Sequence, residues 1–257
     1  MSDRLGLAVG RVVAAPLVGA SFLTILPMPV PRALANGPMG WPVASFPLGG
    51  AAIGALIGAE GLLLMAWFPP AVVAGLMITT LLAVTGALHL DALMDSFDGL
   101  FGGKDPDGRL AIMRDSRVGS YGIAAAGSLL LLEYGALLSL SPVERLQALV
   151  VAGALSRGAM ALTMASFPAA SSRGLAAGLK PHLRSYHTVA AAILAVAVAG
   201  GLLRWAGLAM AAMAGTLVLL GGRLATAKIG GISGDICGGL GELVEAVTLL
   251  ACVVAFS

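Results

Sequence analysis

What most limits the fold of this chain is its run of apolar segments, which recur along nearly all 257 residues and confine polar residues to short connections. A hydrocarbon core about 30 Å thick is crossed by about twenty apolar residues in a helix. Backbone polar groups in lipid must be satisfied internally, which favours segments that bond to themselves. Runs near 42–68, 70–90, 120–140, 146–166, 187–203, 205–221 and 236–256 meet the helical requirement. Composition agrees, since 58% hydrophobic residues, 11% charged residues and a mean hydropathy of +0.96 do not describe a soluble domain. The predicted fold class is all-α, a polytopic integral membrane protein with about seven transmembrane helices. No repeat or linker divides it, so residues 1–257 are expected to form a single membrane-embedded domain.

The basic residues assign sides. The stretch 6–27 is apolar too, but Arg11 and Pro16 interrupt it. If it lies flat in the interface or re-enters, one face receives Arg4, Arg11, Arg32, Lys104, Arg109, Arg114, Arg117, Arg173, Lys180, Arg184, Arg223 and Lys228. These are all but three of the fifteen basic residues; Arg145 and Arg204 lie opposite and Arg157 falls inside a span. A crossing by 6–27 would set the N-terminal arm across the membrane from the other loops, a poorer fit to the positive-inside bias. The expected topology is seven spans plus an N-terminal interfacial or re-entrant segment, with every sizeable loop cytoplasmic. Trp41 and Trp67 are separated by roughly 39 Å of helix, matching two headgroup belts, and Trp205 marks an outer turn. Gly50, Gly54 and Gly58 form a small-residue stripe for close helix packing, within the chain or in a homo-oligomer. Cys237 and Cys252 lie roughly 22 Å apart along one helix, too far to bridge. No leader peptide stands out, so the mature chain is expected to start near Met1. A net charge of only +2 gives no sign of a nucleic-acid partner.

Two polar knots break the apolar pattern. In HLDALMDSFDGLFGG (89–103), Asp91, Asp95 and Asp98 fall at about 0°, 40° and 340° around a helix of ~100° per residue, so they share one stripe. Three unpaired aspartates at mid-membrane would cost on the order of 8–10 kcal/mol. They therefore belong at the membrane surface or around a cation, and all-oxygen ligation suits Mg²⁺ or Mn²⁺. Gly99, Gly102 and Gly103 end that helix, DPDG (105–108) offers a turn and cap, and RLAIMRDSRVGSYG follows with Arg109, Arg114, Asp115, Ser116 and Arg117. Cations and hydroxyls beside a carboxylate–metal site are what a diphosphate needs. The second knot is KIGGISGDICGGLGELVE (228–245). Gly230, Gly231 and Gly234 let backbone N–H groups approach an anion at the start of a helix, with Gly231, Ser233 and Gly234 as candidate substrate contacts, and Asp235 and Glu242, seven apart, share a face as a further metal or phosphate element. Alternatively, Asp235 serves as an N-cap.

HLDALMDSFDGLFGG and AIMRDSRVGSYG together resemble the cobalamin synthase family, the membrane-bound adenosylcobinamide-GDP ribazoletransferases, whose pattern runs roughly HLDGLADTxDGLFGG then EIMRDSRxGTYG. FLTILPMPVP (22–31), FPLGGAAIGALIG (46–58), LSRGAMAL (155–162) and GGISGDICGGLGELVE (230–245) extend the similarity over nearly the whole chain. Ala92 and Met94 depart from the pattern beside the first two aspartates, and Glu133 stands where relatives carry lysine. The resemblance implies a single membrane-embedded catalytic domain in the bacterial inner membrane with its active site facing the cytoplasm. It implies the last step of coenzyme B12 nucleotide-loop assembly: α-ribazole, or its 5′-phosphate, attacks the cobinamide-side phosphorus of adenosylcobinamide-GDP and GMP leaves. On that reading Asp91, Asp95 and Asp98 bind Mg²⁺ and diphosphate, with Asp235 and Glu242 on the same metal. Asp115 completes the shell or acts as base, and Arg117 meets phosphate. His89 is a base or a structural histidine. Arg114, Ser116 and Arg157 turn toward substrate. Two other classes share parts of this pattern. A CDP-alcohol phosphotransferase would show Asp-Gly-x-x-Ala-Arg, which does not follow Asp91. A cation transporter would place its acids at mid-span on broken helices.

Overall fold

The computed structural model describes residues 2–30, 37–172 and 174–257, with side chains from Gly10 onward. Arg32 and Arg173, counted above for sidedness, lie outside the described residues, as does the side chain of Arg4. Among the described residues eleven α-helices follow in order: α1 Ser2–Leu23, α2 Gly40–Ala44, α3 Phe46–Leu64, α4 Pro70–Thr85, α5 Leu88–Phe97, α6 Pro106–Met113, α7 Ser120–Ser139, α8 Pro142–Ser166, α9 Leu175–Leu179, α10 Ser185–Ile229 and α11 Gly234–Phe256. A π-turn, Asp98–Gly102, extends α5, and a 3₁₀ turn, Lys180–His182, extends α9. No strand occurs among the described residues beyond one isolated parallel bridge between Ala169 and Ile232. The all-α membrane class read from the sequence holds.

Among the described residues five helices are long and apolar enough to cross a membrane: α3, α7, α8, α10 and α11. The bent pair α4 and α5 makes a sixth if counted as one span. The 45-residue α10 is two helices in one, because Arg204 (φ 50, ψ −124) breaks it. Its halves fold back beside the break, where a Cβ on Gly207 would sit 1.9 Å from the Ala199 carbonyl oxygen. The expected segments 187–203 and 205–221 are these halves.

The expected span 70–90 is not a continuous helix. Gly86 (φ 63) and Ala87 (φ 53) are successive left-handed residues after Thr85, and the chain leaves the bend at 89°. Glycine is required at position 86 twice over, by its positive φ and because a Cβ there would lie 2.5 Å from Ile25 Cγ2. Periodicity alone gave no warning of the bend, because apolar residues continue through it. The run 42–68 is likewise broken, at Ser45, and its helix ends at Leu64, so Trp41 and Trp67 are not joined by the single straight helix assumed for their spacing.

α8 is the central helix, with a nearly continuous buried surface from Ala148 to Ala161. It starts in a capping box in which the Glu144 carboxylate accepts from the Ser141 N–H at 2.8 Å. The glycine stripe of α3 lies against it. A Cβ on Gly50 would be 2.0 Å from the Gly153 oxygen, and one on Gly54 would be 2.1 Å from the Leu149 oxygen. The stripe thus serves packing inside the chain. α11 and α10 cover other faces of α8, and α5 crosses α11.

Candidate active site

The site is built where α5 meets the start of α11. Small residues permit the contact: a Cβ on Gly238 would lie 2.6 Å from Ala92 Cβ, and one on Gly239 would lie 3.1 Å from Leu93 Cα. Ala92, a departure from the family pattern, is therefore itself small enough for the seam. This approach sets Asp91 and Asp235 on one cavity of about 250 Å³, together with His89, Arg114, Ser171 and Ser233. Met113, Met160, Met164 and Leu175 supply apolar wall. Asp95, one turn beyond Asp91, lies within electrostatic reach of Asp91, Asp235 and Asp98.

The second knot folds differently from the anion-binding loop expected of it. Gly230 (φ 78) ends α10 in a left-handed cap. Gly231 is needed for backbone contact, since its Cβ would meet the Pro168 oxygen at 2.4 Å. The Ile232 N–H donates to Pro168 and the Ile232 carbonyl accepts from Ala170, closing the 168–170 segment over the cavity. Ser233, not Asp235, is the N-cap of α11, accepting from the Ile236 N–H at 3.2 Å, and its hydroxyl bonds the Asp235 carboxylate at 3.2 Å. Asp235 is thereby free of the capping duty that the alternative reading gave it. Ser233 and Gly234 do line the cavity, as expected; Gly231 is not among its lining residues.

Three expected site residues are buried away from the cavity. Asp98 is buried at 7% exposure and accepts from the backbone N–H groups of Gly119 (2.7 Å) and Gly122 (2.9 Å) at the start of α7. Glu242 sits deeper in α11 than the cavity, in a buried group with Glu245, Glu133 and Arg157. Arg157 is turned to that group and not to the cavity: it pairs with Glu245 and bonds the Ser156 hydroxyl at 2.8 Å. A charged residue in a span needs a partner; Glu245, three residues after Glu242 and so on nearly the same helical face, is the partner that sequence reasoning left unnamed.

The arginine segment after α6 divides. Asp105 caps α6 as the DPDG motif predicts, accepting from the Gly108 N–H at 2.9 Å. Arg114 reaches the cavity, bonds the Ser171 hydroxyl at 3.3 Å and lies within electrostatic reach of Asp235. Asp115 and Arg117 instead pair with each other at 2.6 Å in solvent. The Arg117 side chain, and then its backbone N–H, hold the Asp115 carboxyl below the usual carboxylate range, which makes it a poor proton acceptor. Ser116 is exposed beside them. His89 is buried at 2% exposure at the cavity wall, with no hydrogen-bond partner for either ring nitrogen among the described residues. It shares the cavity with Asp91 although an ideal helix sends the two in different directions.

Among the described residues no three Asp, Glu, His or Cys side chains converge as a ready metal cage. Asp91 and Asp235 share the cavity and Asp95 lies within electrostatic reach of both, and all three are hard oxygen donors. They suit an ion such as Mg²⁺, which takes one or two carboxylates and completes its shell with water and substrate phosphate.

Comparison with known proteins shows the family. The family described as Cobalamin-5-phosphate synthase matches residues 15–253. The chain is 36% identical over 236 residues to the adenosylcobinamide-GDP ribazoletransferase of Stutzerimonas stutzeri, covering 91% of this chain and 95% of that one. It is 37% identical over 254 residues to the protein of the same name from Mesorhizobium japonicum, covering 92% and 91%. The protein of that name from Desulfitobacterium hafniense is 32% identical over 241 residues, covering 91% and 94%. No solved structure matches. The match from Ala15 to Val253 takes in both polar knots and the helices that join them, and the chain belongs to the cobalamin-5-phosphate synthase family.

Proposed function

We propose that this chain catalyses the final step of coenzyme B12 nucleotide-loop assembly as an adenosylcobinamide-GDP ribazoletransferase. A hydroxyl oxygen of α-ribazole, or of its 5′-phosphate, forms a bond to the phosphorus that carries cobinamide. The bond from that phosphorus to the GMP oxygen breaks, and the hydroxyl proton is released. The observation that carries the reading is the meeting of Asp91 and Asp235 with Arg114 on one cavity, across a seam that only small residues permit.

Each residue has a task that follows from its placement. Arg114 offers a cation to a diphosphate oxygen, and Ser171 and Ser233 offer hydroxyls. Asp91, Asp95 and Asp235 would hold Mg²⁺, or Mn²⁺, which supplies charge neutralisation for the transferring phosphoryl group. His89 offers an unengaged ring nitrogen as hydrogen-bond partner for the acceptor hydroxyl. A cavity of about 250 Å³ lies below the roughly 300–1,000 Å³ of pockets that enclose drug-sized ligands. It accommodates the reacting phosphates and leaves the corrinoid outside. We place this single catalytic domain in the bacterial inner membrane with the cavity facing the cytoplasm, the side to which the basic loops are assigned.

The test is direct. Purified protein in liposomes, given adenosylcobinamide-GDP, α-ribazole and Mg²⁺, should release GMP and form cobalamin, with EDTA abolishing both. Absence of GMP from folded protein would overturn the assignment.

A further inference from the structure

We propose that Asp98 is a positioning residue that clasps the N-terminus of α7 and thereby fixes the arginine segment against the cavity, and that it is neither a metal nor a substrate ligand. Its effect on substrate rests on the proposed function through Arg114; the clasp itself does not.

Both oxygens of the Asp98 carboxylate are already used. One accepts from the Gly119 N–H at 2.7 Å and the other from the Gly122 N–H at 2.9 Å. These are unsatisfied donors at a helix start, where a carboxylate is also favoured by the helix dipole. The two glycines are there because of Asp98. A Cβ on Gly119 would lie 2.3 Å from one carboxylate oxygen, and a Cβ on Gly122 would lie 2.5 Å from the other. The backbone of Gly119 (φ −97, ψ 173) is open to any residue, so space and not conformation demands glycine.

Asp98 also begins the π-turn that ends α5, a rare geometry that recurs at functional sites. The rest of that turn receives the other end of the arginine segment. A Cβ on Gly103 would meet Arg109 Cγ at 2.4 Å, and one on Gly99 would meet Met113 Cγ at 2.4 Å. The Leu100 carbonyl accepts from Lys228 Nζ at 2.8 Å, and the Lys228 carbonyl accepts from Arg109 Nη1 at 3.3 Å. Residues 103–119 therefore leave the π-turn and return to it, and Asp98 closes the loop. Arg114 extends from within this loop to the cavity and Ser171. The negative charge at position 98 thus acts sixteen residues further on, by holding the backbone from which Arg114 reaches.

The experiment uses the full chain in detergent or liposomes. In Asp98→Ala, backbone amide exchange at 119–122 should speed up by at least about tenfold, the scale of losing hydrogen bonds to a charged acceptor. The KM for adenosylcobinamide-GDP should rise while the Mg²⁺ concentration for half-maximal activity stays put, and the rise should largely vanish in an Arg114→Ala background. Gly119→Ala, whose methyl would have Asp98 as its nearest neighbours, should lower the melting temperature in the native background and regain most of it when combined with Asp98→Ala. If Asp98→Ala does not fold, Asp98→Asn, which keeps one acceptor, gives the exchange, KM and Mg²⁺ comparisons, and Asp98→Ser, which removes the crowding atoms, gives the Gly119 compensation. Unchanged exchange at 119–122 with a raised Mg²⁺ requirement would make Asp98 a metal ligand and end the proposal. Should wild-type protein release no GMP, the functional reading falls, while exchange and the Gly119 compensation still decide the clasp.

Discussion

Arg157→Met should be among the most damaging single changes in the membrane core, and the arrangement around it fixes the size of the loss. Arg157 is 1% exposed, pairs with Glu245 and lies within electrostatic reach of Glu242 and Glu133. One guanidinium therefore serves three buried carboxyls drawn from two helices, α7 and α11. Removing one partner of a buried pair costs about 3–5 kcal/mol, because the other charge is left uncompensated. Methionine fills much of the same space, so little of the loss comes from a cavity. A loss within that range is expected from the Glu245 pair alone. The double change Arg157→Met and Glu245→Met should recover most of it, since exchanging a buried pair for apolar residues of similar volume is often neutral. The remaining shortfall measures Glu242. Glu133→Gln removes a carboxyl whose Oε1 has no partner among the described residues, and should cost less than about 1 kcal/mol. Thermal unfolding in a fixed detergent ranks the four proteins. Arg157→Met melting with wild type, or a double variant no better than the single, would refute the reasoning.

Three further outcomes test other parts of the structure. Gly54→Ala should destabilise by about 1–3 kcal/mol, because its methyl would enter the Leu149 carbonyl at 2.1 Å and must push α3 off α8; wild-type melting would show that the helices yield freely. Single cysteines at Ser172 and Lys104, in a chain whose own Cys237 and Cys252 are buried, should label from the cytoplasmic side only, and one at Val143 only from outside; labels at 104 and 172 on opposite faces would break the seven-span topology. Asp91→Asn and Asp235→Asn should each abolish GMP release while melting near wild type, since Ser233 caps α11 and neither carboxylate holds the fold; an active Asp235→Asn would remove Asp235 from the site.

How much of this was legible in the sequence depends on what kind of information each feature needs. Span positions were, because burying backbone in lipid leaves a long apolar run as its trace, and the α3 glycine stripe was, because close backbone approach leaves a four-residue period. The 89° bend after Thr85 was not: Gly86 is visible in the sequence, but the second left-handed residue is Ala87, which nothing local marks. The site shows the same division. A common helical face put Asp91, Asp95 and Asp98 together, and so it should, but a face says only that side chains leave the helix in one direction. What each meets depends on the neighbour at that height. At Asp91 the neighbour is the glycine-opened start of α11, and a cavity results. About two turns further along, at Asp98, it is the free N–H groups of α7, and the same chemical group becomes a clasp. Asp235 and Glu242 repeat the point on α11, where seven residues carry the chain from the cavity into the buried group around Arg157. Helical phase is written in one segment; depth along the axis is set by packing between segments, and two carboxylates of equal phase are assigned their different chemistry by it.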